Sequence, residues 1–371
     1  MESNLTTASL PVHPSEVTPE WLTLCLQNSG ALSQGRVVQV AIEAFAEGVG
    51  LLGHVVRLRP SYEGANAAAP QSLIAKFRSR SPQNVALCEA FGLYQREHSF
   101  YTGVAEETPL TTARLHASLL TAPSTFALVL EDVDRVLVGD QLVGATAAQL
   151  RLATKQIAAH HARFWGCARA DGRAWLPPLS SPQIVGVLQH LLSGAASYVV
   201  DAFAHHFNDE TRAVALGLSA AIPTLSETLS REPTTFVHGD FRIDNLLFGD
   251  GRTRAELTVL DWQICYQARG IYDVAYLMTQ SVEAELRREI QDEILHTYHA
   301  ELGAHDVHGY AFDTLYEDYR RATTYCLAYP LLATASLDLS NERGRVLAEM
   351  MLRRALSAVD DAAAYALLRA S

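Results

Sequence analysis

The pattern of hydrophobic and polar positions changes character at about residue 144. Before that point, short stretches alternate between apolar and polar residues and are rich in β-branched side chains, as strands are. Three such stretches are residues 37–45, 54–60 and 72–77. A turn rich in Gly, Ala and Pro at 64–70 separates the last two, which predicts an antiparallel meander. A helix from about Gln83 to Tyr101 and an apolar strand at 125–134 are predicted to follow.

After residue 144 the pattern becomes helical, with Pro330 expected to kink or end one of the helices. The predicted helices are 147–166, 182–205, 209–230, 281–302, 312–335 and 341–369. Residues 236–262 interrupt them with two strand-like pieces, "NLLF" and "LTVLDW", joined by the turn "GDGRT". The sequence therefore predicts an α+β protein with a small antiparallel N-terminal lobe and a larger, mainly helical C-terminal lobe.

The predicted domains are an N-terminal extension (1–35), a β-rich N-lobe (36–133) and a helical C-lobe (134–371). Of the 371 residues, 49% are hydrophobic, but apolar runs stay shorter than a membrane span, so we expect no membrane partner. A polar N-terminus and five scattered cysteines favour a reducing cytoplasm. A net charge of −12 disfavours nucleic acid as a partner, whereas oligomeric state stays open.

The stretch "VHGDFRIDNLLF" concentrates polar side chains between two apolar flanks. Asp240 precedes Asn245 by five residues, and Asp261 ends the apolar strand "LTVLD" sixteen residues further on. Oxygen donors at the ends of short strands suit Mg²⁺, which usually bridges carboxylates to the phosphates of a substrate. The spacing therefore predicts a magnesium site that works on a nucleotide.

Candidate phosphate-binding groups lie in the N-terminal half. Gly48, Gly50 and Gly53 fall at a turn between strands, where backbone N–H groups can approach an anion, although glycines at a hairpin are more often only turn residues. Lys76 is the basic residue of "SLIAKF", and Glu97 follows it in the predicted helix. A strand lysine and a helix glutamate can form an ion pair that directs the ammonium at phosphate oxygens. A snorkelling lysine and a solvated glutamate are the alternative.

These parts follow one another in the order of the eukaryotic-type kinase template. "HGDFRIDNLLF", with "LTVLDWQ" and "GIYDVAYLM", resembles the aminoglycoside phosphotransferase and choline kinase-like superfamily of small-molecule kinases, and most of all its ecdysteroid kinase-like branch. The resemblance covers about residues 40 to 335. It implies a bilobal protein-kinase-like fold and an enzyme that uses ATP and Mg²⁺ to phosphorylate an alcohol.

The resemblance also implies roles for particular residues. Asp240 would accept or orient the proton of the acceptor hydroxyl, and Asn245 and Asp261 would ligate Mg²⁺. Lys76 would hold the α- and β-phosphates, oriented by Glu97.

Further implied roles concern the adenine and the support of the catalytic loop. The backbone from Glu131 to Val133 would hydrogen-bond adenine. His238 would brace the catalytic loop, and Asp273 would anchor it.

Other polar residues near the motif stay open at this point. Arg242 either stabilises the transferring phosphoryl group or forms a structural salt bridge. Asp244 is expected off the metal, in a local or substrate contact. His160 and His161 are neighbours on a helix and point about 100° apart, so they cannot both face one metal.

Departures from protein kinases argue against a protein substrate. Gly239 stands where protein kinases have Arg, and Trp262 and Gln263 replace the Phe-Gly of D-F-G. Asp273 comes twelve residues after Asp261, which leaves no room for a long activation loop.

The acceptor pocket is expected in the helical lobe. The candidate surfaces are 183–210, with Tyr198, Phe203 and Phe207, and 312–330, with Tyr316, Tyr319, Tyr325 and Tyr329. An aromatic stripe lies on one face of the second of these segments: Phe312, Tyr316, Tyr319, Thr323 and Cys326. Core packing is its default interpretation, but a stripe that lined a pocket would favour a fairly apolar alcohol, such as a sterol-, polyketide- or hydroxyacyl-like compound. The alternatives are an aminoglycoside or other antibiotic acceptor and a nucleotide-binding pseudokinase scaffold.

Overall fold

The computed structural model describes residues 11–44, 53–121, 125–133, 139–166, 172–252, 255–337 and 342–370. The chain divides into two units, each with its own internal contacts. Unit 1 comprises Met1–Glu107 and Thr112–Arg135, and unit 2 comprises Thr108–Thr111 and Val136–Ser371.

Unit 1 is built on a five-stranded antiparallel sheet in the order β1-β2-β3-β5-β4. The strands are β1 (Arg36–Ala44), β2 (Gly53–Glu63), β3 (Leu73–Arg78), β4 (Leu115–Thr121) and β5 (Thr125–Glu131). The predicted meander of the first three strands is confirmed. Strand β4 was not predicted, because "LHASLLT" does not alternate regularly between apolar and polar residues.

Helix α1 (Pro19–Asn28) covers one face of this sheet, although it falls inside the predicted N-terminal extension. Thr18 caps it, since its hydroxyl accepts a hydrogen bond from the Trp21 N–H at 3.1 Å. The apolar side of the helix buries Trp21 and Leu22 against strand residues such as Val56. The core of unit 1 therefore includes the residues just before the sheet.

The single helix predicted from Gln83 to Tyr101 was wrong, because two helices occupy that stretch: α2 (Pro82–Phe91) and α3 (Leu93–Gly103). Between them Gly92 has a φ of 66°, a left-handed conformation that ends a helix and that glycine adopts without strain. The break lets α3 take its own direction and pack against β4.

Unit 2 is mainly helical, and each of the six stretches predicted as helices is helical, with shifted ends. The helices of its described residues are α4 (Ala147–Arg163), α5 (Pro182–Ala202), α6 (Asp209–Leu229), α7 (Ile271–Gln280), α8 (Ala284–Ala304), α9 (Phe312–Cys326), α10 (Ala328–Ser336), α11 (Glu342–Asp361) and α12 (Ala364–Ala370). Helix α7 was not among the predicted helices, and the one helix predicted over 341–369 is divided into α11 and α12. The helix predicted over 312–335 ends at Cys326 and resumes at Ala328, so Pro330 lies in the first turn of α10, where a missing N–H is tolerated.

Two short strand pairs lie among these helices and carry the polar motif. Strands β6 (Thr235–Val237) and β9 (Tyr266–Ala268) pair, and so do β7 (Leu246–Phe248) and β8 (Leu257–Val259). The β7–β8 pair is the predicted hairpin.

The length and composition of one helix of unit 2 bear on the expectation that no membrane partner exists. Among the described helices, α5 is long and apolar enough to cross a membrane by length and composition alone. Its buried residues pack against α6 and α10.

Candidate active site

The loop between β6 and β7 is held in place through its own backbone. At Gly239 the chain has a φ of 86°, and a Cβ atom there would lie 2.1 Å from the carbonyl oxygen of Ile264. A side chain cannot be accommodated at that distance, so the tight turn requires glycine. This explains why Gly239 replaces the Arg of protein kinases.

The side chain of Asp273, in α7, holds the first residues of the same loop. Its carboxylate accepts hydrogen bonds from the N–H of His238 at 2.7 Å and from the N–H of Gly239 at 2.9 Å. His161 donates to it as well, at 3.1 Å. Asp273 is completely buried, and these donors satisfy its charge. The contacts are those of an anchor for the loop.

His238 links the loop to the strand that carries Asp261. Its Nε2 donates to the carbonyl oxygen of Leu260 at 2.9 Å, and its Nδ1 accepts from the N–H of Asp240 at 3.2 Å. The ring packs edge-on against Trp262, with 4.6 Å between ring centroids. Both ring nitrogens are engaged, which fixes the tautomer and braces the loop.

Asp240 lies at the centre of a set of side chains that face its carboxylate. The amide nitrogen of Asn245 donates to the Asp240 side chain at 2.9 Å and to its backbone carbonyl at 2.8 Å. The hydroxyl of Tyr276 is a further neighbour of this carboxylate, close enough for the charge of Asp240 to act on it. Burial raises the pKa of Tyr276 well above its ordinary value, so the phenol stays protonated and can donate. The contact with Asn245 orients the carboxylate, and because Asp240 is 8% exposed it is not sealed from a substrate.

Asn245 and Asp261 stand at the same end of the β7–β8 hairpin. Leu246 pairs with Val259, and the N–H of Leu260 donates to the carbonyl oxygen of Asn245 at 2.9 Å. Asp261 has a φ of 64°, a conformation that costs energy for a residue with a side chain and that is concentrated at functional sites.

The donor chemistry at this end of the hairpin fits a hard cation. Because Asn245 uses its amide nitrogen toward Asp240, its amide oxygen is the atom left for a metal. One carboxylate and one amide oxygen are what Mg²⁺ takes from a protein when phosphates and water supply the rest. Within the described part of the chain, no group of three or more His, Cys, Asp and Glu could hold a metal.

Arg242 and Asp244 form a network beside Asp240. The Nε of Arg242 lies 3.3 Å from a carboxylate oxygen of Asp240, and its Nη1 lies 3.2 Å from one of Asp244. Burial lowers the pKa of Arg242, but the negative charges of Asp240 and Asp244 outweigh it, so the net shift is upward. Burial raises the pKa of Asp244, and the charge of Arg242 lowers it by less, so the net shift is upward. Arg242 thus takes part in a salt bridge while its side chain keeps 31% exposure.

In unit 1, Lys76 and Glu97 form the ion pair that the sequence predicts. The ammonium lies 2.9 Å and 2.8 Å from the two carboxylate oxygens, and the side chains are 10% and 2% exposed. Gly53 lies on the neighbouring strand, where a Cβ atom would come 3.2 Å from Cε of Lys76. The lysine stem therefore runs across a position without a side chain. That this pair holds phosphates stays a prediction.

The remaining residues predicted to contact the nucleotide can be placed only in part. Glu131 ends β5, and its N–H donates to the carbonyl oxygen of Arg114 at 2.8 Å. A contact with adenine would therefore use the carbonyl of Glu131 or the backbone of Val133. Gly48 and Gly50 lie outside the described residues.

The two neighbouring histidines have structural contacts. His160 Nε2 donates to the carbonyl oxygen of Phe236 at 3.0 Å, and Nδ1 pairs with the hydroxyl of Thr108 at 2.7 Å. Burial lowers the pKa of His160 well below its ordinary value, which keeps the ring neutral. His161 bonds Asp273 and the hydroxyl of Tyr298. All four ring nitrogens are thus engaged within the protein.

The aromatic stripe of α9 packs in the core over its C-terminal part, as its default interpretation has it, while Phe312 and Tyr316 are half-buried. Tyr319, Thr323 and Cys326 are at most 2% exposed, and the Tyr319 hydroxyl donates to Gln291 at 2.9 Å. Phe312 stacks on His296 of α8.

A different aromatic group lies beside Asp240. Tyr276 contacts the rings of Tyr272 and Tyr329, and the hydroxyls of those two are 2.7 Å apart. Tyr276 was not predicted from the sequence, although its position three residues after Asp273 places both on one side of α7. Gln141 was not predicted either, and it lies about a hundred residues before the loop that it contacts. No sequence signal we know of could have found that contact.

Comparison with solved structures shows which fold the chain has. The chain has the fold of the small-molecule kinases, at identities too low to show more than fold. Aminoglycoside 2'-phosphotransferase-IIIa, solved as a GDP complex, matches with a TM-score of 0.51 at 14% identity, over 93% of this chain and 98% of the other. Choline kinase from Cryptosporidium parvum Iowa II gives 0.51 at 12% identity, over 89% of each chain. An amicoumacin kinase in complex with AMP-PNP and Ca²⁺ gives 0.50 at 14%, over 91% and 93%.

Within that class, the sequence itself identifies the family. The model of the ecdysteroid kinase-like family matches residues 48–308, which is more than half of the chain. The protein therefore belongs to the ecdysteroid kinase-like family, and the predicted kinase-like fold is confirmed. No curated protein matches the sequence.

Proposed function

We propose that this protein uses ATP and Mg²⁺ to phosphorylate a hydroxyl group of a small organic molecule. The observation that carries the proposal is the geometry of Asp240, whose carboxylate is oriented by Asn245 in a loop anchored by Asp273. Phosphoryl transfer depends mostly on positioning and on neutralising charge, and a rigid acceptor of the hydroxyl proton meets the first of these needs.

In the proposed reaction the acceptor oxygen bonds to the γ-phosphorus of ATP as the bond from that phosphorus to the β,γ-bridging oxygen breaks. Asp240 orients the acceptor hydroxyl and takes its proton, and ADP leaves. Arg242 neutralises charge on the transferring group, while Lys76 holds the α- and β-phosphates. Asn245 and Asp261 would hold Mg²⁺, which supplies charge neutralisation on the phosphates when bound.

Related structures support a nucleotide ligand, since one is a complex with GDP and another holds AMP-PNP with Ca²⁺. For the acceptor we favour a fairly apolar alcohol. The support comes from the neutral ring of Tyr276 beside Asp240, which clusters with the rings of Tyr272 and Tyr329, rather than from α9. An aminoglycoside carries several positive charges and would need a set of acids, whereas this cluster is neutral.

The test is a screen for ADP formation from Mg-ATP against a panel of sterol-, polyketide- and hydroxyacyl-type alcohols and aminoglycosides. Mass spectrometry would detect the added phosphate on the acceptor. We expect turnover with at least one apolar alcohol. Turnover confined to aminoglycosides would overturn the acceptor class, and a protein that neither binds Mg-ATP nor forms ADP would overturn the kinase assignment.

A further inference from the structure

A segment before α4, Gly139–Ala145, runs along the loop between β6 and β7 that carries Asp240, within unit 2. The N–H of Gly139 donates to the carbonyl oxygen of Leu246 at 3.3 Å. A Cβ atom at Gly139 would lie 2.3 Å from Ile243, so the two backbones meet at a distance that only glycine permits. The N–H of Ala145 donates to Ser281 at 2.7 Å, and the hydroxyl of that serine accepts from the N–H of Ile243. The segment is therefore fitted to the loop at both ends.

Gln141, in the middle of this segment, touches the loop with two separate groups. Its backbone N–H donates to a carboxylate oxygen of Asp244 at 2.7 Å. Its side-chain oxygen accepts a hydrogen bond from Nη1 of Arg242. The side chain is buried, with 4% of the residue exposed, so water competes little for these contacts.

Gln141 is in turn held by α11. Nη1 of Arg354 donates to the backbone carbonyl of Gln141 at 2.6 Å and to that of Gln280 at 3.2 Å. The guanidinium is only 1% exposed and is paired with Glu283 at 2.7 Å. The position of Gln141 is thus fixed independently of the groups that it contacts in the loop.

A neutral partner suits Arg242 at this place. The guanidinium already faces two carboxylates, those of Asp240 and Asp244. A third carboxylate would add negative charge where a phosphoryl group has to be stabilised, whereas an amide oxygen directs the guanidinium without adding charge.

We propose that Gln141 is a positioning residue for Arg242 during phosphoryl transfer, an inference that rests on the proposed function. It acts through Arg242 and does not touch the substrate. Its side chain fixes the guanidinium, and its backbone N–H fixes Asp244, so that Arg242 keeps one orientation between the two carboxylates.

The test compares Gln141→Met with Gln291→Met, measuring phosphate release from Mg-ATP with water as the acceptor. Met keeps the length of the side chain but accepts no strong hydrogen bond. Gln291 is a matched control in the same unit, because its side-chain oxygen also accepts from an arginine, Arg287, at 3.1 Å. We expect Gln141→Met to lower kcat on the order of 10-fold, with KM for ATP changed by less than about 2-fold, and Gln291→Met to leave both unchanged.

A double-mutant cycle separates positioning from a general structural effect. In an Arg242→Met background, Gln141→Met should cause no further loss, because the group through which it acts is gone. If Gln141→Met does not fold, Gln141→Asn is the replacement, because its shorter side chain no longer reaches Arg242. It should likewise lower kcat and leave KM for ATP nearly unchanged.

Two results would overturn the inference while leaving the proposed function intact. One is a kcat of Gln141→Met equal to that of Gln291→Met. The other is a loss of kcat on Gln141→Met that is the same in the wild-type and in the Arg242→Met background. A wild-type protein that releases no phosphate from Mg-ATP and phosphorylates no alcohol would instead overturn the proposed function, and the inference with it.

Discussion

The two units hold their candidate functional groups in different ways. In unit 1, Lys76 is paired side chain to side chain with Glu97, at 2.8 Å between a strand and a helix. In unit 2, the loop that carries Asp240 is bonded through its backbone, by Asp273 and by the ring of His238. The difference suits the proposed phosphoryl transfer. A long, flexible lysine can adjust to the positions of phosphate oxygens, whereas the carboxylate that accepts a proton must lie at one distance and angle from one hydroxyl.

The ion pair should show the largest effect on stability. Lys76→Met removes the ammonium that neutralises a buried carboxylate, and we expect a loss of about 3–5 kcal/mol in the free energy of unfolding. Changing both residues, Lys76→Met with Glu97→Met, should restore most of that loss, because no charge is then left buried. Urea unfolding of the two variants measures this. Activity should stay low in both, and a double variant with normal turnover would remove Lys76 from the proposed site.

The anchor of the loop should show the next largest effect. Asp273→Asn replaces one carboxylate oxygen by an NH₂ group, which cannot accept from the backbone N–H that it faces. We expect a loss of about 2–3 kcal/mol in the free energy of unfolding. The exposed Asp292 of α8 is the matched control, since Asp292→Asn should change stability by less than about 0.5 kcal/mol. Equal stability of the two variants would contradict the anchoring role.

A smaller, pH-dependent effect is expected where α1 meets the sheet of unit 1. Burial, and then the charge of Arg114, lowers the pKa of His116 from 6.5 to about 4. Between pH 6.5 and about pH 4, the folded protein therefore binds fewer protons than the unfolded chain. Stability is lost as the pH falls through that range. Between pH 7 and pH 5 we expect His116 to cost roughly 1–2 kcal/mol. The test measures the free energy of unfolding by urea at pH 7 and at pH 5. In His116→Gln the difference between the two should shrink by this amount, and an unchanged difference would refute the role given to His116.

The sequence predicted the local parts of the site better than its long-range support. The grouping of Asp240, Asn245 and Asp261 could be predicted because their spacing along the chain is short and the hairpin that aligns Asn245 with Asp261 is local, whereas their roles stay predictions. Strand β4 and the break at Gly92 were missed, since weak alternation and a lone glycine inside a helical pattern give little signal.

Tertiary contacts explain the remaining gaps. Gln141 reaches Arg242 across 101 positions of sequence, and Arg354 reaches Gln141 across 213. Hydrophobic periodicity does not encode such pairings. The α9 stripe shows the converse, because helical periodicity predicted correctly which residues share a face but could not decide between a pocket and the core.

The most direct test of the account compares Asp240→Asn with the wild-type protein for binding and for turnover. Mg-ATP binding is measured by thermal shift, and turnover by phosphate transfer to the alcohol found in the screen. Because Asp240 is assigned to the acceptor hydroxyl and not to the nucleotide, we predict that binding of Mg-ATP changes by less than about 3-fold while kcat falls on the order of 10³-fold. An Asp240→Asn protein with near-normal kcat would contradict the central claim.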